Sequence, residues 1–367
     1  MAQSKGATFQ PDYAVCPGLL LKQELEHYQL SQAEFARRIA RTPKLVSEII
    51  AGNNPIEPET AIQFERVLGI GADLWLRMES DYRLHLARQT DAEQLAASEA
   101  WLEDFPVRDL SRWNVIRRKG SIGQKAQDLL AFFAVASPAA FEQRYKCVTV
   151  HYRKSAKFQA SRPALLAWLR YGEVTAASDQ VMEYDESRFR ETLNEIRNLT
   201  TLEIREFKPR LEQLCASSGV VFRLIPPLPK TRLSGAAFWM LGRTPVIQQS
   251  LRYKTNDHFW FTFFHEAGHI LLHSQKAMYA DDGEGSGDSI EAEANDFATD
   301  VLVGRRRLRD FISSGRTSVR EVKTFAAECG IHPGIIVGML QHYKALPWNK
   351  LNSLKATFEW EYPESVA

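Results

Sequence analysis

Apolar residues recur at helical spacing through residues 18–90, where runs of β-branched residues are absent. In the stretch "LSQAEFARRIARTPKLVSEIIAGNNPIEPETAIQFERVLGI", Ser31 and Glu34 form a capping box, which predicts a helix with Ala33, Ala36 and Ile39 on its inward face. After a break at Ala40 and Arg41, Thr42 caps a second helix and Pro43 takes its first position. Leu45, Val46, Ile49 and Ile50 supply its apolar face until Gly52 ends it. Two short helices joined by so tight a turn make a helix-turn-helix unit, although a pair of packed helices in an ordinary bundle shows the same pattern. Residues 91–200 stay mostly helical in pattern. From Leu202 the character changes: "GVVFRLIPPL", "GAAFWML" and "TPVIQQS" read as short strands bounded by Gly and Pro, with helices expected near 258–273 and 290–303. The expected fold is mainly α with an α+β part. It comprises a helix-turn-helix domain at 1–90, a helical middle region at 91–200, an α+β unit at 201–345 and a tail at 346–367.

Composition narrows the class. The chain has 367 residues, 44% of them hydrophobic and 25% charged, with a net charge of +1, which suits two or three soluble domains. No apolar run reaches membrane-spanning length and the first residues lack a signal-peptide pattern, so a cytoplasmic protein without a membrane partner is expected. Cys16, Cys147, Cys215 and Cys329 show no C-x-x-C pairing and read as reduced thiols.

Charge is unevenly spread. The first ninety residues carry ten Lys/Arg against eleven Asp/Glu, yet Arg37, Arg38, Arg41 and Lys44 gather at the helix–helix turn, where a recognition helix meets phosphates. Between Arg108 and Tyr171, thirteen Lys/Arg face only Asp109, Asp128 and Glu142, a net of +10. Aromatics are interleaved there, among them Trp113, Phe132, Phe133, Tyr145, Tyr152, Phe158 and Trp168. Their place within apolar runs favours a core role, while the charge excess suits a nucleic-acid activator, an extension of the DNA-binding face or docking on acidic segments.

Residues 18–89 resemble the HigA-type branch of the Xre-like helix-turn-helix regulators through "PGLLLKQELEHYQLSQAEFARRIA", "EIIAGNNPIEPETAIQFERVLG" and "LWLRMESDYRLHLAR". The resemblance implies a homodimer on double-stranded operator DNA with an inverted repeat. By position, Gln32 would anchor a phosphate, Pro43, Lys44 and Ser47 would lie toward base edges, and Asn53 and Asn54 could reach the backbone.

The stretch "WFTFFHEAGHILLHSQ" carries different chemistry. On a helix, His265 and His269 share one face, and their spacing lets both imidazoles approach one zinc ion. Glu266 is rotated off that face, where it can move a proton between the attacking water and the leaving amine. Gly268 leaves room for a second ligand-bearing segment. His273, about 12 Å along the axis from His265, cannot join both histidines on one ion and reads as peripheral. In "DSIEAEANDFATDVL", Glu291 offers a third ligand with Asn295 one turn on as its support, and Glu293 is the weaker candidate. Residues 281–300 hold eight Asp/Glu and no Lys/Arg.

Residues 201–345 resemble the ImmA/IrrE metallopeptidase family through "GVVFRLIPPLP", "HFWFTFFHEAGHILLH" and "EAEANDFATDVLV", which implies a zincin-like fold. It also implies His265, His269 and Glu291 as ligands of Zn²⁺, Glu266 as the catalytic acid/base, and a repressor protein as substrate. "IHPGIIVGMLQHYKALPWNKLN" resembles the tail of such fusions, and its His332 and His342 are candidates for stabilising the oxyanion. The stretch "VLVGRRRL" departs from the family's usual Leu-Met-Pro. Mn²⁺ and Fe²⁺ fit the same donor set.

The sequence therefore predicts a DNA-binding regulator fused to a zinc-dependent endopeptidase that cleaves a repressor, a toxin or itself, in a stress, phage-defence or toxin–antitoxin setting. The linker at 90–110 would be the point of self-cleavage, and the acidic loop "DDGEGSGDS" would cover the cleft. The alternatives are a non-enzymatic antitoxin and autorepressor whose peptidase-like domain binds a toxin or senses metal, and a stress sensor controlled through the basic middle region.

Overall fold

Side-chain caps and left-handed residues set the helix boundaries at the start of the chain. The computed structural model describes residues 14–146, 161–177, 179, 181–231, 233–240, 242–273 and 286–359. By packing, the chain divides into Met1–Glu99 with Ser121–Ala126, and Ala100–Gly120 with Gln127–Ala367.

The first unit contains α1 (Pro17–His27), α2 (Gln32–Arg38), α3 (Pro43–Ile50), α4 (Pro58–Leu68) and α5 (Ala72–Ala96). Ser31 Oγ accepts the Glu34 N–H and Thr42 Oγ1 accepts the Leu45 N–H, each at 3.2 Å, so both helices of the motif start where their caps predict. Between them Ala40 takes φ 52°. Phe35, Ala36, Ile39, Val46 and Ile49 pack on Leu21, Phe64 and Trp75 from α1, α4 and α5. Ala33, expected to face inward, is exposed, because the buried stripe of α2 runs through Phe35, Ala36 and Ile39.

Beyond α5 come α6 (Glu99–Glu103), α7 (Val107–Arg112), α8 (Ile122–Phe133), α9 (Pro138–Tyr145), α10 (Arg162–Ala176), α11 (Glu186–Asn198) and α12 (Ile204–Ser217). The stretch 90–110, expected to be a cleavable linker, is instead mostly helical and buries Leu95, Leu102, Phe105 and Leu110. The middle aromatics serve the interior: Phe133, Phe141 and Trp168 are buried, and the Trp168 indole donates to Pro226 O at 3.1 Å. Tyr152 and Phe158 lie outside the described residues. The three acids of the basic region are all engaged, Arg112 with Asp109, Arg117 with Asp128 and Arg162 with Glu142.

Strands β1 (Val221–Leu224), β2 (Gly235–Met240) and β3 (Thr244–Gln249) form a sheet in the order β1-β3-β2. β1 runs parallel to β3 with Val221 opposite Val246, and β2 runs antiparallel to β3 with Ala237 opposite Ile247. β2 is thus an edge strand. Gln248 and Gln249 are buried on β3 and use their amides as ties, donating to Trp168 O at 2.8 Å and Phe259 O at 3.1 Å.

Helices α13 (Asn256–Leu272), α14 (Ser286–Leu302), α15 (Arg305–Ser313), α16 (Val319–Cys329) and α17 (Pro333–His342) complete the unit. α13 is apolar on most of its circumference because it packs against the sheet, α14 and α17. Its Phe259, Trp260, Phe263, Phe264 and Ala267 meet Phe207, Phe222, Ile247, Ala298 and Ile336 in one core. Truncating the fully buried Trp260 to Ala would cost about 3–5 kcal/mol. That packing holds the polar side chains of α13 in fixed directions. Among the described residues, no helix is long and apolar enough to cross a membrane.

Candidate functional site

α13 and α14 bring three ligand atoms together. His265 Nε2 and His269 Nε2 are 3.0 Å apart, and Glu291 reaches them from α14 at 3.4 and 3.5 Å. These separations are near the ~3.3 Å edge of a tetrahedron with bonds of about 2.0 Å, so the donor set fits a divalent metal ion with a further position left open. The hydrogen bonds behind the ligands point the same way. His265 Nδ1 meets Asn295 Oδ1 at 3.0 Å, and His269 Nδ1 meets His273 Nδ1 at 3.0 Å. With both Nδ1 positions engaged, the two Nε2 lone pairs converge, an arrangement that repels unless a cation lies between them.

The surroundings tune these groups. Burial lowers the proton affinity of His265, but the Glu291 and Glu266 carboxylates outweigh it and raise its pKa. Hydrogen bonding to His265 and His269 holds Glu291 far below the usual carboxylate range, although its side chain stays 60% exposed. His273 closes α13 with its Nε2 3.5 Å from Glu293 Oε2, and burial, then His269, push its pKa down.

Glu266 occupies a different setting. It is only 7% exposed, and burial raises its pKa, while the flanking histidines and the Ala237 N–H of β2 pull the other way. Gly235 makes this approach feasible: a Cβ there would lie 2.8 Å from Glu266 Oε1 and 2.6 Å from Thr262 Cγ2. The carboxylate therefore sits under the edge strand and beside the metal ligands. Sequence reasoning missed Gly235 and Ala237 as parts of the site. The one signal was a glycine opening a strand.

The candidate histidines of the tail lie elsewhere. His332 caps α17, accepting the Gly334 N–H at 3.0 Å, and meets Asn256 at 2.7 Å. Asn256 opens α13, about 13 Å along the axis from His265. His342 is separated from His265 by the Phe261 ring, with centroids 6.3 and 6.5 Å from it. At "VLVGRRRL" the chain turns back on α14, with Arg305 binding Asp296 and Asp300. Residues 281–285 of the acidic loop lie outside the described residues.

In the first unit, Gln32, Arg37, Arg38, Arg41, Pro43, Lys44, Ser47 and Asn53 are exposed around α2 and α3, and Asn54 is half-buried. Each basic side chain has a polar neighbour: Glu34 pairs with Arg37 at 2.7 Å and Arg38 at 3.2 Å, Gln63 accepts from Arg41, and Glu48 lies 3.7 Å from Lys44. Exposed pairs of this kind are worth little and re-form readily with phosphates.

Comparison with known proteins agrees with this division. Residues 216–340 match the IrrE N-terminal-like domain of the Peptidase_M78 family. The HTH-type transcriptional regulator YddM of Escherichia coli, itself uncharacterized, is 30% identical over 74 residues, 20% of this chain and 79% of that protein. Among solved structures, an addiction module antidote protein of the HigA family from Coxiella burnetii is 23% identical, with a TM-score of 0.21 over 22% of this chain and 89% of its own. PA4674 of Pseudomonas aeruginosa, solved with its operator DNA, is 25% identical with the same coverage and a TM-score of 0.21. The chain belongs to the HTH-type transcriptional regulators, and its second unit carries an IrrE-like peptidase-family domain.

Proposed function

We propose that the protein is an operator-binding regulator and a zinc-dependent endopeptidase that cuts a regulatory protein. The observation that carries this reading is the convergence of His265, His269 and Glu291 beside a buried Glu266 under an edge strand. His265, His269 and Glu291 would hold the ion, which when bound supplies Lewis acidity for peptide hydrolysis. Asn295 and His273 keep the two imidazoles turned so that each Nε2 faces inward. Glu266 accepts the proton of the attacking water and returns it to the leaving amine, and its raised pKa brings the carboxylate closer to neutral pH. The outer edge of β2 receives the substrate as an added antiparallel strand, which keeps the scissile bond beside Glu266.

At the other end of the chain, α3 presents Lys44 and Ser47 to base edges while Arg37, Arg38 and Arg41 bind phosphates, in a homodimer on an inverted repeat. Elemental analysis tests the metal assignment. Protein purified without chelator should hold about one divalent ion per chain, and full metal content in His269→Ala would overturn the ligand set.

A further inference from the structure

Beside the first half of α13 a cavity of about 80 Å³ opens among Asp257, His258, Phe261, Ile335, Met339 and His342. It starts one turn before His265, whose imidazole lies 6.5 Å from the Phe261 ring, centroid to centroid. The walls are largely apolar, and Asp257 breaks the pattern. It is 5% exposed, and Lys355 Nζ lies 2.6 Å from its Oδ2 while also donating to Gln341 Oε1 at 2.8 Å. Its other oxygen, Oδ1, has no hydrogen-bond partner. Gly338 lets α17 pass this carboxylate, since a Cβ there would lie 2.4 Å from Oδ2. The fold thus makes space for a buried carboxylate in an apolar cavity and leaves one of its oxygens unserved. Such an atom is costly to bury unless water or a ligand donates to it.

We propose that this cavity receives the substrate side chain next to the scissile bond and selects glutamine, whose methylene stem lies on the apolar walls and whose amide N–H₂ donates to Asp257 Oδ1. The inference rests on the peptidase reading. A peptide laid along β2 passes Glu266, which meets both Gly235 and Ala237, so residues flanking the cut bond overlie α13. The cavity has room for roughly five non-hydrogen atoms, the size of a glutamine side chain. Charge decides among side chains of that length. Lys355 already neutralises Asp257, so a substrate lysine or arginine would add a second, uncompensated buried cation. A glutamate would set carboxylate against carboxylate. Methionine fits the space but leaves Oδ1 unpaired. His258 and His342 line the same cavity and offer ring N–H donors to the amide oxygen.

The test uses the full chain carrying Glu266→Gln, which holds peptides without turning them over. Blocked peptides acetyl-Ala-Ala-Xaa-Ala-Ala-amide, with Xaa as Gln, Met, Glu or Lys, are titrated into it by calorimetry. The glutamine peptide should bind roughly tenfold to a hundredfold tighter than the methionine peptide, with glutamate and lysine weakest. Adding Asp257→Asn places an amide N–H₂ where Oδ1 stood and should abolish the preference for glutamine over glutamate. Ile335→Phe fills the cavity without touching its polar groups and should reduce the glutamine peptide to the level of methionine, a check that holds even where Asp257→Asn does not fold. Equal affinity for glutamine and methionine, or a preference for lysine, overturns the proposal. Cleavage by the wild type separates the two ideas. Glutamine-selective binding with no cleavage under any condition removes the peptidase reading and retains the glutamine site. Cleavage at bonds not flanked by glutamine removes the cavity proposal alone.

Discussion

The α2–α3 turn and the α13–α14 site both concentrate charge, under opposite conditions. At the turn, Arg37 and Arg38 share Glu34 on an open surface, where solvent screens the pairs and water replaces any partner lost. Between α13 and α14, Glu266 is almost completely enclosed and His265 is tied to Asn295 and Glu291. The first arrangement suits transient exchange of a carboxylate for a phosphate. The second fixes direction and shifts proton affinity, which is what chemistry on a peptide bond requires. The contrast sets the order of expected effects.

The largest effect is expected from Glu266→Gln. It should lower peptide cleavage by about 10²–10⁴-fold while metal content stays that of the wild type, because the residue moves protons and does not bind the ion. Cleavage that survives with metal content unchanged would assign the proton transfer to another group. The acid limb of the pH–rate profile comes next. Glu266 must be ionised to act as a base, and its folded pKa is raised by burial, so activity should fall with acidification above the pH at which an exposed carboxylate would titrate.

The same shift has a consequence for stability. The folded state favours the neutral form of Glu266, so its penalty is fully present above the raised pKa and absent below the unfolded carboxylate value. Metal-free Glu266→Gln should therefore melt higher than metal-free wild type at neutral pH, by about 1–3 kcal/mol of stability, and the gain should vanish in acid. An unchanged or lower melting temperature at neutral pH would show that the carboxylate is better solvated than its enclosure implies. The smallest structural effect belongs to the turn. Arg37→Gln with Arg38→Gln should leave thermal stability within about 0.5 kcal/mol, yet reduce the salt dependence of operator binding by roughly one phosphate contact per arginine. A large loss of stability would mean that these side chains support the fold.

Much of both regions was legible in the sequence because their signals are local. Ser31, Thr42 and Pro43 act within their own helix turn, and the spacing of His265 and His269 is a property of one helix. The misplaced Ala33 shows the limit of such signals, since only the neighbours of Phe35 reveal which stripe of α2 is inward. The stretch 90–110 looked like a linker because its apolar residues are sparse, yet Leu95, Leu102, Phe105 and Leu110 suffice to bury it. Features that join distant segments left no readable trace. Gly235 beneath Glu266, His273 against His269 and Asp257 with Lys355 depend on which surfaces the fold brings together.

The most direct test of the account is to incubate wild type and Glu266→Gln with Zn²⁺, adding operator DNA or cell extract, and to map fragments by mass spectrometry. The account predicts metal-dependent fragments in the wild type that are missing in Glu266→Gln. No such fragments under any condition, with operator binding intact in both proteins, would contradict it.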